Sequence, residues 1–185
     1  MSKTFKLQSL GYEVTIGKFA GQADGAVWFK HKDTVILSTV VMAETKSFPG
    51  FLPLSVDYRE YFSASGRIPG GYLKREGKSS DHEVLTSRLI DRTIRPLFPD
   101  FFFNEVQALS TVYSIDKDAL PAPLAVVSTS LALMISKVPF AGPVGAVQVG
   151  RIANSWVFNP GKEQQEQSDV LIMVAGTKDG LCMVE

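Results

Sequence analysis

Residues 34–41 read T-V-I-L-S-T-V-V, a continuous and largely β-branched run. A strand that faces water on one side alternates apolar with polar residues. A run without alternation predicts a strand buried on both faces. A second segment makes a similar demand. From Asp118 and Pro121 to about Ser136 the chain is rich in Ala, Leu, Val and Met, and Pro121 suits a first helical turn. That helix is apolar nearly all round, so it is expected deep in the fold. Ser128, Thr129 and Ser130 lie inside it and are expected to satisfy carbonyls one turn back rather than act as nucleophiles.

Strands surround these two segments. Phe5–Leu10 and Tyr12–Phe19 alternate apolar and polar residues about Gly11, and Ala26–Lys30 pairs with Thr34–Met42 across His31, Lys32 and Asp33. Leu52–Tyr58 and Glu105–Ile115 are further strands. Val144–Ile152 and Trp156–Phe158 form a hairpin turning at Asn154-Ser155. G-K-E-Q-Q-E-Q-S is expected as a polar loop, Val170–Ala175 as a buried strand, T-K-D-G as a turn, and Leu181 onward as another strand. The order predicts an α+β fold in which helices cover one side of a mixed, twisted sheet. The last strand meets Glu185 with no cap or polar tail, which predicts that residues 1–185 form one core truncated at its C-terminal end.

Between the strand ending at Tyr58 and the next helix lies S-A-S-G-R-I-P-G-G-Y-L-K-R-E-G-K-S-S, with no apolar period over about 15 residues. This Gly- and Ser-rich segment presents Tyr72, Leu73, Lys74 and Arg75 together. Cations beside an aromatic ring on such a loop suit a single-stranded polyanion: the cations neutralise phosphates and the ring stacks on a base. Arg67 stands on the same segment. The helix that follows starts near Asp81, where Ser80 and Glu83 have capping-box spacing. Val84, Leu85, Leu89 and Ile90 are expected as its apolar stripe, and Pro96 ends it. Arg88, Arg92 and Arg95 fall on another face, either along a nucleic-acid path or paired with Asp91 and other acids.

Charge agrees in a modest way. The chain has 19 basic and 19 acidic residues, so no global field steers a partner. From Arg59 to Arg95, however, eight cations stand against five acids, a net of +3 that the remainder cancels. The single Cys182 sits in an apolar run and excludes a disulfide framework. No signal core opens the chain, and no apolar stretch approaches the roughly 20 residues of a membrane span, so a cytoplasmic location is expected.

A complete catalytic set is missing. His31 and His82 are far apart, neither has a partner at metal-ligand spacing, and both are expected at the surface. There is no P-loop, and G-R-I-P-G-G lacks the strand-to-helix context of a dinucleotide site.

Five stretches carry a resemblance: R-I-P-G-G-Y-L-K-R-E-G, R-L-I-D-R-T-I-R-P-L-F-P, N-E-V-Q, V-P-F-A-G-P-V-G-A and V-A-G-T-K-D-G. In this order, from about Phe5 to Glu185, they resemble the amino-terminal RNase PH-type core of the bacterial polynucleotide phosphorylase family. The resemblance implies an RNase PH fold, related to the second domain of ribosomal protein S5. It also implies a homotrimer with two such cores per subunit around an RNA channel. The implied activity is phosphorolysis of RNA from the 3′ end, releasing nucleoside diphosphates with Mg²⁺ or Mn²⁺ assisting, in mRNA degradation.

The family's active second core has a Gly-Ser-Ser-Ser stretch before the buried helix, where this chain has Ala119, Leu120, Pro121 and Ala122. It also has an Asp and a Lys ahead of V-A-G, where this chain has Leu171 and Met173, leaving Asp169 as a lone carboxylate. The resemblance therefore implies a degenerate core with no catalytic residue or metal of its own, the metal belonging to the second core. Its implied task is RNA capture by a loop that reads Phe-Phe-Arg-Arg in the family and Tyr72-Leu73-Lys74-Arg75 here. Lys holds phosphate as a point charge, without the fork of Arg. The competing expectations are a self-sufficient RNase PH-like phosphorolase, a non-enzymatic RNA-binding module, or a small-molecule kinase of the S5-like superfamily. The last would need a Gly- and Ser-rich phosphate loop that P-A-P-L-A-V-V does not provide.

Overall fold

A computed structural model of the chain describes residues 2–47, 49–116 and 118–185. Ten strands follow the order β1 (Lys3–Leu7), β2 (Tyr12–Ile16), β3 (Gly25–His31), β4 (Thr34–Ala43), β5 (Leu54–Glu60), β6 (Glu105–Ser114), β7 (Gly145–Ile152), β8 (Ser155–Phe158), β9 (Val170–Thr177) and β10 (Gly180–Val184). Three helices join them: α1 (Asp81–Ile94), α2 (Pro121–Ile135) and α3 (Lys162–Glu166).

The α+β class holds, but the strands divide between two sheets rather than forming one. The first has the order β1-β2-β3-β4-β6-β5, and the second β10-β9-β7-β8. Among the described residues only the β5–β6 pair is parallel, so the first sheet is mixed and the second antiparallel. The two longer helices, α1 and α2, lie between the sheets. One side of α2 packs on β3, β4 and β6 and the other on β7 and β9, while α1 packs on β5, α2 and β10. This three-layer arrangement is why α2 needs apolar side chains all round. Val126, Ala132 and Leu133 are fully buried there. The approach is close enough that a Cβ on Gly25, at the start of β3, would fall 2.2 Å from the Ala132 carbonyl oxygen. The hydroxyls within α2 divide three ways. Thr129 donates to the Ala125 carbonyl at 2.7 Å, and Ser130 accepts the Val144 N–H at 2.9 Å. The buried Ser128 Oγ has no hydrogen-bond partner, contrary to expectation.

Other details depart from the sequence reading. β4 is buried on the face toward α2 through Thr34, Ile36, Ser38 and Val40, but Val35, Leu37 and Thr39 on the opposite face are only half-buried. Asp118 does not cap α2; Leu120 is its N-cap and offers no side-chain bond. The polar segment after Gly161 closes into α3. The β7–β8 turn sits one residue earlier than expected, at Ala153 and Asn154, both with positive φ. The apolar stripe of α1 runs through Thr86, Leu89, Ile90, Thr93 and Ile94, leaving Val84 and Leu85 exposed.

The parallel β5–β6 pair requires a crossover, which α1 supplies. Everything between β5 and α1 therefore emerges at the carboxyl end of a parallel strand, where open sheets commonly bind ligands.

Candidate nucleic-acid interface

The segment from Tyr61 to Ser80 is fixed at its two ends. At the outgoing end, Phe62–Ser65 forms a 3-10 turn closed by Gly66, whose φ of 70° is in the left-handed region. At the returning end, the capping box expected from sequence is present: Ser80 Oγ accepts the Glu83 N–H at 3.3 Å, and Glu83 Oε2 accepts the Ser80 N–H at 2.6 Å. Glu83 also joins the ends. Its Oε1 accepts the Glu60 N–H at 2.9 Å, and Arg59 Nη1 lies 3.9 Å from its Oε2. Burial pushes the Glu83 carboxyl pKa up, but the hydrogen bonds from Ser80 and Glu60, with Arg59 nearby, outweigh it. The net shift is downward. The buried Tyr58 hydroxyl donates to Glu60 Oε1, and His82 Nε2 lies 3.3 Å from the same oxygen. That hydrogen bond raises the His82 pKa, while Tyr58 is raised well above the ordinary phenol value by burial and then by Glu60.

Beyond this support the loop stands in solvent. Tyr72 is 99% exposed and Leu73 75%. Gly71 and Lys74 have φ of 76° and 50°, so the chain reverses tightly around the ring. Lys74 and Arg75 are exposed beside it. Below the tip is an open cleft of about 540 Å³, where the structure brings Arg67 and Arg75 together with Lys78 and Arg59. Glu60, Glu76 and Glu83 also line it. Arg59 is engaged, donating to Ser79 Oγ at 2.7 Å and approaching Glu83. Among the described residues, Arg67, Lys74, Arg75 and Lys78 make no ion pair. They are the loop's cations free to meet a polyanion. Sequence reasoning singled out neither Arg59 nor Lys78 as a site residue; only the charge count over residues 59–95 pointed to them.

The three helix arginines separate. Arg88 and Arg92 are exposed but do not line the cleft. Arg95 is spent on structure. Its Nε and Nη2 donate to Asp91 at 3.0 and 2.7 Å, and its Nη1 and Nη2 donate to the carbonyls of Leu52 and Leu54 at 3.1 Å each. It ties the end of α1 to the start of β5, the pairing with Asp91 that the sequence allowed as the alternative to a nucleic-acid path.

A second concavity, of about 400 Å³, opens where the N-termini of α1 and α2 meet the second sheet. Leu120, Pro121, Ala122, Leu171 and Met173 all line it, with His82 at the rim. Helix N-termini bind anions through their free N–H groups. In α2, Pro121 and Pro123 remove two of the first three of those groups. The nearby Asp169 is clasped by Arg151, with N···O distances of 2.8 to 3.2 Å, and that pairing holds its carboxyl pKa down. Among the described residues no three His, Cys, Asp or Glu side chains converge to hold a metal ion. No helix among them is long and apolar enough to cross a membrane.

The chain matches two descriptions in order: 3′ exoribonuclease family, domain 1, over residues 11–139, and 3′ exoribonuclease family, domain 2, over residues 142–185. It is 50% identical over 188 residues to a polyribonucleotide nucleotidyltransferase of Citrifermentans bemidjiense, covering 100% of this chain and 27% of that protein. It is also 50% identical over 184 residues to the protein of that name from Halalkalibacterium halodurans, covering 98% and 26%. The chain thus spans about a quarter of the length of these relatives. Among solved structures it superposes on rice (Oryza sativa) Rrp46 with a TM-score of 0.74 at 15% identity, covering 94% of this chain and 78% of that one. It superposes on a chain of the Archaeoglobus fulgidus exosome with RNA bound to the active site with a TM-score of 0.69 at 18% identity, covering 99% and 77%. At such identities these two structures speak for the fold alone, which is the RNase PH type that the sequence resemblance implied.

Proposed function

Since the chain belongs to the 3′ exoribonuclease family, whose domain 1 match alone runs over residues 11–139, we propose that it is an RNA-gripping core of a 3′-to-5′ phosphorolytic exoribonuclease and has no phosphorolytic centre of its own. The observation that carries the proposal is the loop tip. Tyr72 projects wholly into solvent beside Lys74 and Arg75, above a cleft that also holds Arg67 and Lys78. A ring so exposed gains nothing for folding, and it is suited to stack on a base while the cations meet successive phosphates. Arg88 and Arg92 on α1 are further candidates for the strand's path.

The second concavity supports the absence of catalysis. A phosphate and a divalent ion need donors and carboxylates; the positions where the family's active core carries them are here Leu120, Pro121, Ala122, Leu171 and Met173, and the polar groups that share the lining, His82, Thr86, Gln148, Gln165 and Glu185, include one carboxylate. The whole protein is then a cytoplasmic homotrimer acting in mRNA degradation. A second core in each subunit carries Mg²⁺ or Mn²⁺, lets phosphate attack the terminal phosphodiester and releases a nucleoside diphosphate.

The test is to incubate the chain with single-stranded RNA, inorganic phosphate and Mg²⁺ and to follow both RNA binding and nucleotide release. Binding that weakens as salt rises, without nucleoside diphosphate, is expected. Sustained release would replace the proposal with a self-sufficient phosphorolase, and absence of RNA binding would end it.

A further inference from the structure

The loop's two legs converge on the backbone of a single residue, Phe62. On the outgoing leg, the Arg67 N–H donates to the Phe62 carbonyl at 3.0 Å, and Ser65 Oγ donates to the same oxygen at 3.0 Å. On the returning leg, Glu76 Oε1 accepts the Phe62 N–H at 2.7 Å. Among the described residues, the one other hydrogen bond tying residues 67–79 to the body of the fold runs from Arg59 to Ser79, at the far end of the returning leg. Among the described residues no other hydrogen bond ties the stretch from Ile68 to Arg75 to the body of the fold, so the placing of the tip leans on the bonds at Phe62. Glu76 follows directly after Arg75. Although Arg59, Arg67, Arg75 and Lys78 all line the cleft with it, its carboxylate forms no ion pair there and accepts from a backbone N–H.

We infer that Glu76 is a positioning residue for the grip: its carboxylate latches the returning leg to the Phe62 N–H and so holds Tyr72, Lys74 and Arg75 in their presenting arrangement. This rests on the RNA-gripping reading above. A loop already closed at its neck loses less conformational freedom when the strand binds, and that saving appears as affinity. The latch predicts a sign opposite to that of simple electrostatics. Glu76 is an acid among four cations, so removing its charge relieves repulsion on an incoming phosphate and by itself would tighten binding.

The experiment compares Glu76→Ala and Glu76→Gln in the full chain. Hydrogen exchange of residues 67–78 is measured without RNA, and affinity for a short unstructured RNA is measured beside it. The latch requires faster exchange in the loop of Glu76→Ala, an unchanged melting temperature, and binding weakened by roughly tenfold, the scale of one charge-assisted hydrogen bond. Glu76→Gln keeps an oxygen able to accept the Phe62 N–H and should restore most of both. Unchanged exchange in Glu76→Ala overturns the latch whether or not the chain binds RNA. Tighter RNA binding by both variants also overturns it, since that is the electrostatic sign. If exchange rises as described while the wild-type chain binds no RNA, the latch stands as loop architecture and it is the RNA-gripping reading that fails.

Discussion

Replacing Tyr72 with alanine separates stacking from charge. The ring is 99% exposed, so its removal takes away no buried contact, and the melting temperature should stay within the range of ordinary surface substitutions. Base–aromatic stacking contributes about 1–3 kcal/mol per base, which corresponds to a loss of roughly 5- to 150-fold in affinity for single-stranded RNA. The loss should be the same at every ionic strength, because a ring releases no counterions. Arg75→Ala should behave differently. It removes one phosphate contact, so the slope of log affinity against log salt should fall by about 0.7, with the largest loss at low salt. Fluorescence anisotropy of a labelled RNA, titrated between about 50 and 200 mM salt, reads both quantities. Tyr72→Phe keeps the ring and should bind like the wild type. The reasoning fails if Tyr72→Ala binds within twofold of wild type, or if its deficit disappears as salt is raised, which would show that the tip acts through charge alone.

Glu83→Ala should destabilise the chain by about 2–4 kcal/mol in denaturant titration, because it removes half of a capping box and leaves the Glu60 and Ser80 N–H groups without their acceptor. The folded Glu83 pKa lies below the ordinary carboxylate value, so its contribution is present above about pH 4.3 and is lost as pH falls through the folded value; Glu83→Gln should flatten that part of the stability curve. Ser128→Ala should raise stability by about 1 kcal/mol, since it deletes a buried hydroxyl that has no partner. Arg95→Ala should cost about 1–3 kcal/mol of stability by releasing Asp91 and the Leu52 and Leu54 carbonyls, while the salt slope of RNA binding stays unchanged. A reduced slope in that variant would return Arg95 to the RNA path.

The parts of this fold legible in the sequence are those set by short-range chemistry. Ser80 and Glu83 are three residues apart, and one local geometry satisfies both, so the start of α1 could be read directly. Gly11, with a φ of 64°, marks the first hairpin in the same way. Long-range choices were hidden. Residues 170–175 form a strand whichever sheet they join, and periodicity does not say that β7–β10 leave the first sheet to cover the other side of α2. The uniform apolarity of α2 was the available signal of a second layer, since a helix with one covered side would carry a polar stripe. In the candidate site the tip residues were legible from composition. Glu76 was not, because its partner is a backbone N–H fourteen residues away, and backbone groups carry no identity in a sequence.

The two long helices explain why the cations stand on a loop at all. A helix N-terminus is ordinarily the most economical seat for a phosphate, because its free N–H groups and dipole are already in place. In α1 that end is occupied by the chain itself. Asp81 and Glu83 sit in its first turn, and the Glu83 carboxylate folds back over the Ser80 N–H, so an incoming anion meets negative charge. In α2, prolines at the first and third positions delete the donors, and Leu120, Leu171 and Met173 surround what remains with apolar surface. Neither helix N-terminus is therefore well suited as an anion seat, and in the proposed function contact with a polyanion falls to long flexible side chains in solvent. Such contacts are strongly screened, follow the backbone rather than the base sequence, and let a strand slide. On the proposed reading, in which this core holds a strand that another site shortens, that kind of grip lets the strand advance, whereas a rigid phosphate nest at either helix would stall it.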